Sequence, residues 1–273
     1  MKTKYTISET SELLGVTTHM LRHYEKMGII HPETNPENGY RYYSVIDTRR
    51  FNLSREYLAC GISLEQCAQI MSRMEEKDIE QIIDAAVAEQ NRRIVLSHIA
   101  IRFLKHVREM NSMLPDLVGK VWVEELSRKW RIEFSNNERV TMKPSLLKQQ
   151  HIWLSCLPAV YWTGRIKREE LQSCADKLIA YKYGLMCFEE DALALGFEKT
   201  ENVEIIPGGE YLSMVYEKAD PGPFTAEHLN GLMNYINNRR IDIDGDFFSH
   251  ILASKEVDGI IRNYHRVYVR IKK

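Results

Sequence analysis

Residues Gly15 to Pro32 read GVTTHMLRHYEKMGIIHP, and Gly39-Tyr40-Arg41-Tyr42-Tyr43 follows shortly after. Gly15 suits the left-handed turn that closes one helix, Thr17 or Thr18 can cap the next, and Gly28 ends it. Met20, Leu21 and Tyr24 recur at the spacing of a buried helical face. Two short helices joined by a tight glycine turn predict a helix-turn-helix unit. The aromatic, basic segment after it predicts a hairpin wing, with the turn at Asn38-Gly39.

Working outward, Tyr5 to Ile7 predicts a short strand, with Thr6 and Glu9 as a capping box or Ser8 as the N-cap of a helix carrying Leu13 and Leu14. Ser44 and Asp47 offer caps for a helix running through Tyr57 or Leu58. Gly61 breaks it, and Ser63-x-x-Gln66 caps another helix through Met71. From Asp78-x-x-Gln81 onward no Gly or Pro occurs until Pro115. Ile79, Ile82, Ile83, Ala86, Val87, Ile94, Ile101 and Leu104 recur at three- and four-residue steps. Such a narrow apolar stripe predicts a coiled-coil seam, with Gln90, Arg93 and Ser97 interrupting it to set register or sense. Packing of this helix on its own domain is the alternative.

A reading helix needs donors at its exposed end, because base edges and phosphates present mainly acceptors. Thr17, Thr18, Arg22 and His23 supply them, and Arg22 can bond a guanine edge or a phosphate through two nitrogens. Tyr24, Tyr40, Arg41 and Tyr42 extend the candidate DNA surface, with Arg41 facing away from Tyr40 and Tyr42 so that the tyrosine side packs on the helices. Arg49 and Arg50 lie within reach of a flanking phosphate. Tyr24 and Tyr42 serve equally well as core supports.

The 273 residues carry a net charge of −1, so any basic surface must be local. No run of about eighteen apolar residues, the minimum for a membrane span, occurs. The opening MKTKYTISETSELLG lacks an apolar h-region, so no signal peptide is expected and the reading is cytoplasmic. The five cysteines, Cys60, Cys67, Cys156, Cys174 and Cys187, include no CxxC pair and read as buried small residues, Cys60 and Cys67 in the core. No metal site and no cofactor is expected.

After Pro115 the texture becomes β-rich. Trp153 to Trp162 reads as a strand, Lys167 to Lys182 as a helix, and Leu185 to Phe188 as a strand. Glu210 to Tyr216, Pro223 to Asn238 and Asp246 to Leu252 repeat that order, and Tyr264 to Ile271 closes the chain. Two strand-helix-strand-strand units in a duplicated α+β domain are expected.

The segments YTISETSELLGV, LRHYEKMGIIHP, GYRYYS and GISLEQC resemble the MerR family of transcription regulators. Ser11 and Met20 depart from the usual pattern. The resemblance implies a homodimer joined by an antiparallel coiled coil of the long helices. It binds double-stranded promoter DNA and distorts it when an effector binds, so that RNA polymerase engages; the implied role is an activator, although repressors also occur. The expected domains are a winged helix-turn-helix at residues 1–74, a dimerisation helix at 75–114 and an α+β effector domain at 120–273. The last is similar in pattern to GyrI-like domains of the drug-sensing branch. That similarity implies an aromatic cleft, with Tyr161, Trp162, Glu210, Tyr211, Tyr216, Phe247, His250, Tyr264 and Tyr268 as candidate lining. Each aromatic has plain core packing as its alternative.

Relatives of that type often carry a glutamate where Ser249 stands here, so a small hydrophobic or aromatic effector is expected ahead of a cation, unless Glu189, Glu190 or Glu210 substitutes. Catalysis is not expected. The alternatives are a hydrolase using His250 or Glu210, and a ligandless DNA-binding protein.

Overall fold

Short-range capping builds the N-terminal part of the molecule. The computed structural model describes residues 4–72, 74–135, 143–172, 179, 181–222 and 224–272, and the chain divides into two units, residues 1–94 and 95–273. In the first, β1 (Lys4–Thr6) leads into α1 (Ile7–Leu14), α2 (Thr18–Lys26), β2 (Glu33–Thr34), β3 (Arg41–Ser44), α3 (Val45–Ala59) and α4 (Leu64–Ile70). Thr6 and Glu9 close a capping box on α1, Ser44 and Asp47 one on α3, and Ser63 and Gln66 one on α4. Gly15 ends α1 at φ 64°, the left-handed conformation that a side chain disfavours. The three strands form an antiparallel sheet in the order β1-β3-β2. Leu21, Tyr24, Ile29, Ile30, Tyr43, Phe51, Ile62 and Cys67 make the core, with Ile82 and Ala86 of the following helix packed against it.

That helix, α5 (Glu76–Leu117), begins two residues before the expected cap and runs 42 residues, past Pro115. A proline removes a single intrahelical amide bond. In the last turn this is tolerated: Leu114 is buried, and its carbonyl accepts from the Val118 amide at 3.3 Å. The division between the two units falls within this helix. No helix among the described residues is long and apolar enough to cross a membrane.

The second unit holds β4 (Val121–Leu126), β5 (Lys129–Ser135), α6 (Pro144–Leu154), β6 (Val160–Ile166), α7 (Arg168–Gln172), β7 (Lys182–Phe188), α8 (Glu189–Ala194) and β8 (Val203–Ile206). It continues with β9 (Gly209–Asp220), a 3-10 turn at Ala226–Leu229, α9 (Asn230–Arg239), β10 (Ile243–Val257) and β11 (Ile260–Ile271). One eight-stranded antiparallel sheet runs β4-β9-β11-β10-β6-β7-β5-β8. The duplication is visible in that order. The sets β5-α6-β6-β7 and β9-α9-β10-β11 each place their third strand between the first and second, and β6 meets β10 at the centre.

The first copy therefore starts one strand earlier than the sequence suggested. Trp153 belongs to a helix, not a strand: Leu146, Gln149 and Trp153 are buried at helical spacing, Pro144 opens the first turn, and Trp153 stacks on Phe197 at 5.1 Å. Of the helix expected over 167–182, α7 accounts for Arg168–Gln172 and Lys182 opens β7, while residues 173–178 and 180 lie outside the described residues.

Asp47 is the tie within the first unit. Its carboxylate accepts from the Ser44 amide at 2.8 Å, the Ser44 hydroxyl at 2.7 Å and the His31 amide at 2.8 Å, with 6% of the residue exposed. Burial pushes its pKa up, but those donors outweigh it and hold the carboxyl below its usual range. A depressed folded pKa contributes stability above the unfolded value of about 3.9, lost as pH falls through the folded one. Asp47→Asn is accordingly expected to lower stability by about 1–2 kcal/mol at pH 7. In urea unfolding at several pH values, the gap to wild type should close below about pH 4.

Candidate nucleic-acid interface and effector cleft

The first helices place donors outward. Thr17 caps α2, its hydroxyl accepting from the Met20 amide at 3.2 Å, which leaves the hydroxyl proton available to a phosphate or base. Thr17, Arg22 and His23 are exposed and Thr18 half-buried, with Thr18 and Arg22 one turn apart. On the wing, Tyr40 is 67% exposed and Tyr42 half-buried. Arg41 donates through Nε to Glu25 of α2 at 2.8 Å, joining wing to helix, and its side chain stays 48% exposed. Arg49, on the first turns of α3, is exposed.

Three expectations change here. Tyr24 is a core side chain, 3% exposed and 4.6 Å from the Phe51 ring. Arg50 is a buttress: Nε donates to the Ile29 carbonyl at 2.6 Å and a terminal nitrogen to the Met71 carbonyl at 3.1 Å, so it holds loop ends together instead of facing a phosphate. The packed side of the wing is also reversed. Tyr43, which shares Arg41's side of the strand, is fully buried, and Tyr40 and Tyr42 are the more open pair.

In the second unit, strand register sorts the candidate ligand residues onto opposite faces of the sheet. Cross-strand partners share a face. One face carries Trp130, Cys187, Val160, Ile166, Phe247, Val267 and Met214, and α6 and α9 cover it through two separate cores. Trp162, Glu210, Tyr216 and Phe247 belong to this face. Phe247 is sealed in the α9 core, and Glu210 is exposed at the start of β9 opposite Glu125.

The core beneath α9 contains an aromatic cluster. Tyr216 stacks on His265 at 5.0 Å and 5° and stands 5.6 Å from both Phe224 and His228. Its hydroxyl is 2.7 Å from that of Tyr181 and 3.2 Å from Ser249 Oγ. Trp162, 52% exposed, meets Phe134 edge-on at 5.3 Å on the neighbouring side. Burial drives the His265 pKa down to about 4 and that of Tyr216 up to about 12, so both are uncharged near neutral pH. The ring and hydroxyl partners of Tyr216 include no carboxylate. Glu189 instead accepts from Trp130 Nε1 at 3.1 Å, and Glu190 pairs with Arg102 at 3.3 Å.

Tyr161, Tyr211, His250, Tyr264 and Tyr268 lie on the opposite face. Lys129 is the centre of this side. It is 3% exposed, and its ammonium lies 5.4 Å from Phe188, 5.8 Å from Tyr211 and 5.4 Å from Tyr268. These rings already hold a cation of the chain's own. Burial lowers the Lys129 pKa to about 8, and burial with Arg266 and Lys129 holds His250 well below its ordinary value. Tyr181, Phe224, His228 and His265 had escaped sequence reading. His265 lies on β11, whereas Tyr181, Phe224 and His228 lie in the segments before β7 and α9, so no strand or helix periodicity marked them.

A model of the MerR HTH family regulatory proteins matches residues 5–74. A probable heavy metal-dependent transcriptional regulator of Haemophilus influenzae is 30% identical over 105 residues, covering 37% of this chain and 82% of its own. The chain belongs to the MerR family. Members of this family are transcription regulators, and the chain is a DNA-binding regulator, not an enzyme. Over its whole length (100%, and 98% of the relative) this MerR protein is 23% identical to the multidrug-efflux transporter 2 regulator of Bacillus subtilis. A solved EcmrR–DNA complex within an EcmrR-RPo assembly covers 98% of the chain and 100% of its own at 15% identity, with a TM-score of 0.36.

Of the MerR protein's cysteines, Cys67, Cys156 and Cys187 are buried. Cys60, the C-cap of α3, is exposed, and Cys174 lies outside the described residues. Among the described residues, no group of three or more His, Cys, Asp or Glu is placed to hold a metal.

Arg22 and Arg50 should separate in mutagenesis. Arg22→Ala is expected to weaken duplex binding about tenfold and reduce the salt slope by about one, read by fluorescence anisotropy over a salt series. Arg50→Ala should instead lower unfolding stability by about 1–3 kcal/mol, because it takes the guanidinium donor from the part-buried carbonyls of Ile29 and Met71.

Proposed function

We propose that the protein binds promoter DNA as a homodimer and that a small hydrophobic or aromatic effector in the second unit alters how it distorts that DNA for RNA polymerase. Thr17, Thr18, Arg22 and His23 read the duplex, with Tyr40, Arg41, Tyr42 and Arg49 fastening the flanks. The division of labour follows residues 1–74, 75–114 and 120–273. The observation that carries the effector reading is the aromatic cluster around Tyr216, which belongs to the core beneath α9 and whose partners are the hydroxyls of Tyr181 and Ser249 and the rings of Phe224, His228 and His265. Flat rings bind by stacking on such walls. The full-length relative named a multidrug-efflux transporter 2 regulator lends the reading support.

Homodimer formation is supported by the exposed stripe of α5. Ile83, Val87, Ile94, Ile101 and Leu104 are 39, 54, 53, 50 and 64% exposed, and with Gln90 and Ser97 they fill alternating four- and three-residue steps. Effector control then requires only that the ligand bind one DNA-bound state better than the other, since deforming a promoter costs a few kcal/mol.

Two measurements test the scheme. Val87→Glu with Ile94→Glu should convert a dimer to a monomer in sedimentation and weaken duplex binding by more than about tenfold. Titration with neutral planar dyes should quench tryptophan fluorescence saturably and shift duplex affinity. If no compound quenches and DNA binding never responds, the effector reading fails.

A further inference from the structure

The Tyr181 side chain occupies a seat built for a phenol. A methyl group placed on Gly164 of β6 would fall inside the Tyr181 ring, so the ring rests directly on bare backbone that only glycine provides. Phe224 stands 4.5 Å from it and Tyr183 stacks beside it at 5.9 Å and 25°. At its far end the Tyr181 hydroxyl lies 2.7 Å from that of Tyr216, which lies 3.2 Å from Ser249 Oγ. Strand pairing holds the parts in place: Gly164 is opposite both Tyr183 and Ser249. Tyr181 itself is half-buried.

We propose that this seat recognises neutral hydroxyarenes, a phenol or a fused-ring analogue, and that Tyr181 is the chain's own occupant, which such a ligand replaces. The proposal rests on reading the second unit as the effector-binding part. The shape admits one flat ring, with a hydroxyl at its end. Two hydroxyls await that group, each able to donate or accept. A site built around such a bond discriminates strongly against a ring that lacks it. A cation would find no carboxylate among the hydroxyl and ring partners named here, and Tyr216 keeps its proton near neutral pH, so it offers no phenolate either. Because the ligand must compete with a tethered ring, affinity in the wild type is reduced by the fraction of molecules in which the seat is open.

The test is calorimetric titration of the full chain with phenol, toluene and tetraethylammonium, each variant being checked for cooperative unfolding. Tyr181→Ala empties the seat and should bind phenol at least about tenfold more tightly than wild type, with toluene at least about tenfold weaker than phenol and no binding of tetraethylammonium. Adding Gly164→Ala to Tyr181→Ala should abolish the phenol site. Tyr181→Phe keeps the ring without its hydroxyl and should bind phenol about fivefold more tightly than wild type, because the internal competitor has lost its bond.

Equal phenol affinity in wild type and Tyr181→Ala overturns the proposal, as does toluene matching phenol or preferential binding of the ammonium ion. If Tyr181→Ala does not unfold cooperatively, Tyr181→Phe decides, and phenol binding no tighter than to wild type overturns the proposal. Planar dyes that still quench wild-type tryptophan while phenol fails in both variants would remove the phenol seat alone. Failure of dyes and phenol together, with unresponsive DNA binding, would remove the effector reading with it.

Discussion

Three residue pairs between β6 and β10, Ile166 with Phe247, Arg165 with Phe248 and Gly164 with Ser249, join the two copies of the repeat into one sheet. Successive side chains of a strand point to opposite faces, so this register decides the environment of every residue along the seam. Phe247 enters the α9 core while Phe248 goes to the other side, between the guanidiniums of Arg131 and Arg165 at 5.8 and 5.4 Å. A slip by one residue would exchange them. It would also carry Ser249 and Gly164 away from Tyr216 and Tyr181, so the aromatic cluster exists only in this pairing.

The two faces solve different problems. On one, two helices cover apolar layers, and the layer beneath α9 includes the rings and hydroxyls around Tyr216. The other buries charge. Arg131 is wholly buried, bonded to Glu133 at 2.7 Å and to the Lys182 carbonyl at 2.7 Å, and burial lowers its pKa despite those partners. Buried ions persist where partners and rings compensate lost hydration. Lys129 has three rings around it. Tyr211 and Tyr268 are therefore engaged inside the protein, on the face opposite Tyr216.

The DNA-reading unit was legible in fine detail because its signals are local. Thr6 with Glu9, Ser44 with Asp47, and Ser63 with Gln66 each act over three residues, and Gly15 and Gly28 end helices through their own backbone freedom. Where reading erred within this unit, long-range contacts were responsible. Arg50 bonds carbonyls 21 residues away on either side, and no short window contains them. Tyr24 and Tyr42 carry equivalent signals in the sequence, and only packing made the first a core residue. In the second unit Trp153 read as a strand residue because its β-propensity is high, whereas the spacing to Leu146 and Gln149 and the stack on Phe197 hold it in a helix.

From the sequence alone followed the helix-turn-helix with its wing, the long helix with its apolar seam, the repeated α+β half and the family to which they belong. Caps, glycine turns and helical periodicity act within a few residues and can be read without knowing the fold. Tertiary structure alone decided which aromatics meet. That depends on strand register and on which face each residue takes, both set by pairings between distant segments. Gly164 illustrates the difference: in the sequence it is an unremarked glycine in a strand, and in the fold it is the floor beneath Tyr181.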